Sequence, residues 1–241
     1  MYQAKPITEN IKIEGNALKY EDDNCVILYN FWGENGDIGF VIYNKNDENL
    51  YLHLDECFFV ENGFAYDYYQ NRIYTNNSTS NSSSAIYIPI NNYFAVSGSD
   101  SKSVTNSVSV VEKSIISVPS QDSKKISEFT IIKQVYRDCD IFLYPRKNEN
   151  NTLYFTEENS PYIFGNKLAY SIGDTDTINR IKNIFYVSKI SNYSIEEITK
   201  LVEKEHCGKK LGVKERVLIE SGPDQFYIKY NWDTYNDNLK H

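Results

Sequence analysis

The chain has few of the residues that carry out most protein chemistry. Its 241 residues include three histidines and four cysteines, the side chains on which most nucleophilic, acid–base and transition-metal sites draw. They are His53, His206, His241, Cys25, Cys57, Cys139 and Cys207. None stands in a C-x-x-C, H-E-x-x-H or G-x-S-x-G arrangement. We therefore expect a protein without enzymatic activity, metal or cofactor.

The cysteines fit a structural role better than a reactive one. Cys25, Cys57 and Cys139 each lie in a run of residues typical of a β-strand. A free thiol in such a run usually behaves as a small buried hydrophobe. We expect this of all three, although sequence alone cannot choose among the disulfide pairings that four cysteines allow.

The chain also lacks a long hydrophobic run and an excess of positive charge. No apolar stretch approaches the roughly 20 residues that span a bilayer. The 25 Lys and Arg against 33 Asp and Glu give a net charge of -8. Affinity for phosphate backbones comes from clustered Lys and Arg, so we expect a soluble chain with no nucleic-acid partner and no transmembrane segment.

The start of the sequence has no hydrophobic region of a signal peptide. Met1 is the only methionine, which is compatible with a start codon placed on a trimmed mature segment. A precursor with an export signal and a lipid anchor is then open. We expect the cell envelope, periplasmic or at the surface, if a signal has been removed, and the cytoplasm otherwise.

What the chain does contain is 21 tyrosines and 12 phenylalanines, spread over segments in which apolar and polar residues alternate. Residues 37–43 and 50–55 show this period of two, and the turn at 61–63 joins the strands of a predicted hairpin. A strand that ends in Val118 and Pro119, followed by a polar turn and a new strand, is common in immunoglobulin-like sandwiches. The sequence predicts a mainly β fold, an immunoglobulin-like β-sandwich with added strands and one C-terminal α-helix.

We expect one domain over residues 1–241, with a core at 16–145, a helix at 194–207 and last strands at 213–230. Ser194 as N-cap and Glu197 at the third helical position form a capping box, and Cys207 with Gly208 supplies the stop. Residues 137–144 predict a further strand. The Ser-rich stretches at 76–84 and 97–109 predict polar loops between strands.

Acidic residues are plentiful, and a glycoside hydrolase needs two of them across a sugar. Asp55 with Glu56, and Asp138 with Asp140, are the pairs that adjoin strands. Neither pair has a nearby set of further ligands, so we interpret both as solvated faces.

The candidate binding site is aromatic. Tyr66 and Tyr68 fall on one face of a predicted strand, and Arg72 follows closely. Two rings on one face form a platform for a sugar or for a side chain of a partner. The alternative is that the tyrosines only suit the surface of a sheet.

Several strings in the sequence resemble those of a known family. They are YEDDNC at 20–25, FW at 31–32, GF at 39–40, YNK at 43–45, FFVENGFAY at 58–66, NSPYIF at 159–164, FYVS at 185–188 and FYIKY at 226–230. With them the chain resembles an uncharacterised Bacteroides-type family of envelope proteins, many of which carry a lipoprotein signal. The resemblance covers most of the chain and implies a place in the cell envelope, but no activity or site residue.

We therefore expect a non-enzymatic envelope or surface module that binds a protein or a glycan. One alternative is a structural component of a phage particle or mobile-element apparatus, which a stable ring or trimer in solution would favour. A second alternative is a carboxylate-based hydrolase, which a deep cleft holding two acids would favour.

Overall fold

The computed structural model describes residues 1–90, 93–143, 145–146, 151–219 and 222–230, and for residues 74–110 it describes the backbone alone. The chain divides into two compact units: Met1–Tyr68 with Ile115 onward, and Tyr69–Ser114. That the whole chain forms a single domain stays a prediction.

Nearly all regular structure in the described residues is β-strand. The strands are β1 (Tyr2–Pro6), β2 (Ile11–Glu14), β3 (Ala17–Glu21), β4 (Cys25–Tyr29), β5 (Phe40–Asn44), β6 (Leu50–His53), β7 (Phe58–Glu61), β8 (Phe64–Asp67), β9 (Ile73–Ile90), β10 (Tyr93–Val111), β11 (Ile115–Val118), β12 (Ser123–Ile126), β13 (Asn151–Tyr154), β14 (Ile163–Ile172), β15 (Asn179–Asn192), β16 (Thr199–His206), β17 (Lys209–Leu218) and β18 (Gln225–Phe226). A turn of 3-10 helix (Leu54–Glu56) and one α-helix, α1 (Ile195–Ile198), complete the described elements. The prediction of a mainly β fold with one C-terminal α-helix is confirmed.

Among its described residues, the larger unit contains two large antiparallel sheets and the two-stranded sheet of β16 and β17. The first runs in the order β11-β6-β14-β15-β1-β18, with β13 on β15 and the pair β7-β8 on β14. The second runs β12-β5-β4-β3-β2. Buried and less buried residues alternate along β4 and β5, because successive side chains of a strand point to opposite faces of the sheet.

An aromatic core lies between these sheets. Tyr29 at the end of β4 meets Phe185 of β15, with ring centroids 5.4 Å apart and nearly perpendicular. Phe31 meets the same ring at 4.9 Å and Phe164 of β14 at 5.4 Å. All four rings are buried. Side chains of both sheets thus fill one core, which is the arrangement of a sandwich; the immunoglobulin-like topology stays a prediction. The rings of β14 and β15 extend this core beyond the predicted limits of 16–145.

Buried amides also join the sheets. Asn166 and Asn183 are directly paired across β14 and β15, and both are fully buried. Asn183 Nδ2 donates to Tyr29 Oη at 3.0 Å. Asn166 Nδ2 donates to the Ile38 carbonyl at 3.1 Å. Because a buried amide without partners is strongly destabilising, these bonds favour one alignment of the two sheets.

Gly165 allows β14 to approach β15 closely. A Cβ atom at this position would lie 2.0 Å from the Asn183 carbonyl oxygen and 2.8 Å from the Ile184 Cα. These are backbone atoms of the neighbouring strand, so they cannot move aside without disturbing the sheet. The position therefore requires glycine for its lack of a side chain.

We predict that Gly165→Ala lowers the free energy of unfolding by about 1–3 kcal/mol or more, the usual range for overpacking. Gly33→Ala is the matched control, because a Cβ there meets nothing within 4 Å; we expect it to change stability by less than about 0.5 kcal/mol. Chemical denaturation of the three proteins measures this. Equal stability of Gly165→Ala and wild type would contradict the close approach.

The predicted helix over 194–207 is wrong beyond its first turn. The capping box is present, since the Ser194 amide and Oγ donate to Glu197 Oε2 at 2.9 and 2.8 Å, but α1 ends at Ile198. Strand β16 follows and pairs with β17. Cys207 and Gly208 have φ values of 50° and 75°, as a tight hairpin turn requires. The sequence signal interpreted as a helix stop is therefore the turn between two strands.

The last strands, predicted over 213–230, do not pair with each other. Strand β17 pairs with β16, and β18 pairs with β1. The strand predicted at 137–144 is also wrong in its described part, which contains turns. Asp138 Oδ1 accepts the Asp140 amide at 2.9 Å, a local bond that competes with strand pairing. Tyr144 lies outside the described residues.

The smaller unit is a long two-stranded ribbon of β9 and β10, paired from Ile73 with Val111 to Ile90 with Tyr93. The Ser-rich stretches predicted as loops belong to these strands. Loops were predicted because these stretches have few apolar residues to pack. Two strands can nevertheless pair with each other through backbone hydrogen bonds, which need no buried face.

Candidate functional site

The structure places Tyr66 and Tyr68 in different surroundings. Tyr66 lies on β8 with 41% of its surface exposed, whereas Tyr68 is 1% exposed. The chain turns inward after β8, and the Tyr68 amide donates to the Cys57 carbonyl at 3.1 Å. Tyr68 Oη donates to Asn166 Oδ1 at 2.9 Å. The expectation of an exposed platform fails at Tyr68, whose hydroxyl belongs to the core network; burial raises its pKa well above the usual range.

Arg72 belongs to the smaller unit, where Glu112 holds it. Arg72 Nε donates to Glu112 Oε1 at 3.0 Å, and Nη2 contacts the same oxygen. The amides of Gln70 and Arg72 donate to Oε2, each at 3.0 Å. These bonds close the base of the β9–β10 ribbon. The Arg72 guanidinium, followed by the two amides, lowers the pKa of Glu112 to about 2.

We predict that the hydrogen bonds of Glu112 at the start of the β9–β10 ribbon weaken in acid. A carboxylate whose pKa is depressed in the folded state stabilises that state above its unfolded pKa of 4.5, and the contribution is lost as the pH falls toward 2. Amide exchange at Gln70 and Arg72, corrected for its intrinsic pH dependence, should rise over this window in wild type. Glu112→Gln should remove the transition. The same transition in both proteins would contradict the account.

All four thiols are free. Cys25 and Cys57 are buried, as predicted, and burial raises the pKa of Cys57 to about 12. The prediction is wrong for Cys139, which is exposed in a turn rather than buried in a strand. Cys207 is exposed at the turn of the β16–β17 hairpin. Thiolates are the reactive form of cysteine, so the two buried thiols are unsuited to nucleophilic chemistry.

Polar and acidic residues do not form a metal-binding group in the described ranges: no three His, Cys, Asp or Glu side chains there could hold an ion. His241 lies outside these ranges. Asp138 and Asp140 sit in an exposed turn, and Glu56 pairs with Arg180 at 2.5 Å. Two clefts border α1, and neither acidic pair lines them.

The larger of these clefts lies where the end of β15, α1, the root of the β16–β17 hairpin and residues 227–230 meet. Its volume is about 760 Å³, within the range of sites that bind small molecules or side chains. Most of its wall is apolar. The aliphatic and aromatic lining residues are Leu143, Pro145, Tyr193, Ile195, Ile198, Leu218, Tyr227, Ile228 and Tyr230.

A smaller cleft of about 250 Å³ adjoins it and shares four lining residues with it, Met1, Tyr193, Ile198 and Leu218. Trp32 lines the smaller cleft, and its ring lies 5.3 Å from that of Tyr227. Together the two clefts, which we call the α1 clefts, flank the single turn of helix. The shared residues form a wall common to both clefts.

Few polar groups line the larger α1 cleft, and most are engaged. Asn192 Nδ2 donates to the Phe142 carbonyl at 2.8 Å, and its Oδ1 accepts from Tyr230 Oη at 3.0 Å. Lys229 pairs with Glu34 at 2.8 Å. Arg216 differs, since Nη1 donates to Thr199 Oγ1 at 3.1 Å but the guanidinium forms no ion pair within the described part of the chain. Of the two Lys and Arg side chains that line this cleft, Arg216 is the one without a carboxylate partner among the described residues.

The hairpin beside the clefts is exposed on both faces. Leu201 is 62% exposed, and Leu211 and Val213 are each 54% exposed. The hairpin from Thr199 to Leu218 contains six Lys or Arg and three Glu, a net charge of +3 in a chain of -8. An apolar and basic arm therefore borders an apolar cleft.

Sequence reasoning missed this site because it depends on the hairpin. A helix over 194–207 would bury Leu201 and Val202 on one stripe and leave no arm. The signal that could have found the hairpin is Cys207-Gly208 between two runs in which charged residues alternate with apolar ones.

No family model, curated protein or solved structure matches the chain. The resemblance to Bacteroides-type envelope proteins thus stays a prediction. Within the described residues, no helix has the length and apolar character needed to cross a membrane.

Proposed function

We propose that this chain is a non-enzymatic binding module whose larger α1 cleft receives an apolar segment of a partner protein. The observation that carries the proposal is the aliphatic wall of the cleft. Five Leu and Ile residues contribute to it: Leu143, Ile195, Ile198, Leu218 and Ile228. Apolar surface of this kind gains free energy when a partner removes it from water.

A protein fits this wall better than a glycan. Sugars carry hydroxyl groups over most of their surface, and each hydroxyl that leaves water needs a hydrogen-bonding partner. The cleft offers few unengaged polar groups, since Asn192 and Lys229 are bonded within the chain. Branched aliphatic residues instead complement the apolar side chains of a peptide.

The exposed hairpin supports the same proposal. A two-stranded hairpin without a hydrophobic face covered by other elements is marginally stable in water. Leu201 and Val202 stand on opposite faces of β16, and both are exposed. A partner that lies in the cleft and against the hairpin root would cover part of this surface.

The groups in the cleft also fit binding better than catalysis. Its lining contains neither histidine nor cysteine among the described residues. The adjoining smaller cleft has one carboxylate, Glu197, which accepts two hydrogen bonds from Ser194. A place in the cell envelope is part of the proposal and rests on the sequence resemblance alone.

Selection of displayed random 12-residue peptides on the purified protein tests the proposal. We expect selected peptides to bind wild type and to lose about tenfold in affinity to Ile195→Ser, because one apolar contact of about 1–2 kcal/mol is removed. Ile13→Ser is the matched control. Ile195 is 64% exposed and Ile13, on β2 outside the cleft, is 59% exposed, so neither change disturbs the core. Calorimetric titration of the selected peptides gives the affinities.

Equal affinity for wild type and Ile195→Ser would contradict the proposal. So would binding to a glycan array that Ile195→Ser abolishes while no peptide is selected. A stable homo-oligomer that dissociates in Ile195→Ser would favour the alternative of an assembly component, in which a second copy fills the cleft.

A further inference from the structure

We infer that the partner segment is acidic as well as apolar, and that Arg216 binds its carboxylate. This inference rests on the proposed function and adds the chemistry of the ligand. The larger α1 cleft supplies the apolar contacts, and the basic hairpin at its edge supplies the charge. An extended peptide with one Asp or Glu among apolar residues matches both.

Arg216 has the geometry for this role. A guanidinium carries five N–H donors in a rigid plane that suits two-point binding of a carboxylate. The bond from Nη1 to Thr199 Oγ1 uses one donor and holds the group at the root of the hairpin. The donors that remain have no carboxylate partner among the described residues. Arg216 is thus fixed at the cleft with binding capacity to spare.

The surrounding charge favours an anion at this place. Two of the three glutamates of the hairpin are paired within it, Glu215 with Lys204 at 2.8 Å and Glu203 with Lys210 at 3.3 Å. The hairpin keeps a net charge of +3, so the rest of the chain, at -11, is strongly acidic. An acidic peptide is therefore attracted to the hairpin and repelled elsewhere.

The strand register sets the spacing of the ligand. Arg216 and Leu218 are two residues apart on β17 and share a face, and Leu201 of β16 lies directly opposite Arg216. Alternate residues of a strand are about 7 Å apart. An extended peptide that follows this face places its acid two positions from an apolar residue, with the acid at Arg216 and the apolar residue at Leu218.

The experiment uses the peptides selected on the full chain, each also made with its acid changed to the matching amide. On wild type, we expect the amide peptide to bind about three- to tenfold more weakly, the effect of an exposed charge-assisted bond. Arg216→Gln should weaken the acidic peptide equally and leave the amide peptide unchanged. Arg216→Lys should keep part of the affinity for the acidic peptide, because the positive charge remains but the planar guanidinium that binds a carboxylate at two points is lost.

Lys209→Gln is the control for general attraction. Lys209 carries the same charge on the same strand but lies at the turn, opposite His206, and does not line the cleft. We expect this variant to bind both peptides as wild type does. High salt should weaken binding of the acidic peptide to wild type, and it should weaken binding to Arg216→Gln less.

The inference is overturned if acidic and amide peptides bind wild type equally, a comparison that needs no variant to fold. In that case the proposed function still stands, provided that Ile195→Ser weakens both peptides. If Ile195→Ser has no effect on either peptide, the proposed function fails first. Equal losses in Arg216→Gln and Lys209→Gln would also overturn the inference, because charge alone would then explain the binding.

Discussion

The close pairing of β14 with β15 is the constraint on which the rest of this structure depends. The two backbones approach so closely at Gly165 that a single added Cβ would meet the carbonyl oxygen of Asn183. That approach sets Phe164 and Phe185 against the rings of the facing sheet. The far end of β15 reaches Asn192, which lines the larger α1 cleft. One strand therefore connects the core to the site.

The core and the β16–β17 hairpin differ in how far their side chains are buried. In the core, Asn183 Nδ2 donates to Tyr29 Oη and Tyr68 Oη donates to Asn166 Oδ1, and burial raises the pKa of both tyrosines above the usual range. On the β16–β17 hairpin, leucine and valine side chains remain in water beside Arg216, a cation that has no carboxylate partner among the described residues.

Local alternation was sufficient to predict much of the larger unit. Strands β4 to β8, the hairpin at 58–67 and the burial of Cys25 and Cys57 all follow from period-two patterns and turn residues. The pattern failed where the same signal fits two structures. Cys207-Gly208 ends a helix or turns a hairpin, and the pairing of β16 with β17 decides between them. The prediction that Tyr68 is exposed on a strand was wrong because β8 ends at Asp67. Local sequence does not show where this strand ends. The cleft combines distant segments and has no sequence motif.

Amide hydrogen exchange on the free protein at residue resolution distinguishes the packed core between the two sheets from the exposed β16–β17 hairpin. We expect the amides of Phe185 and Val187 on β15 to exchange only through global unfolding. Amides of Leu201 and Val213 on the hairpin should exchange at least about 100-fold faster, through local opening. Hairpin amides as slow as those of β15 would contradict the account, because the arm would then already be packed and would leave no surface for a partner.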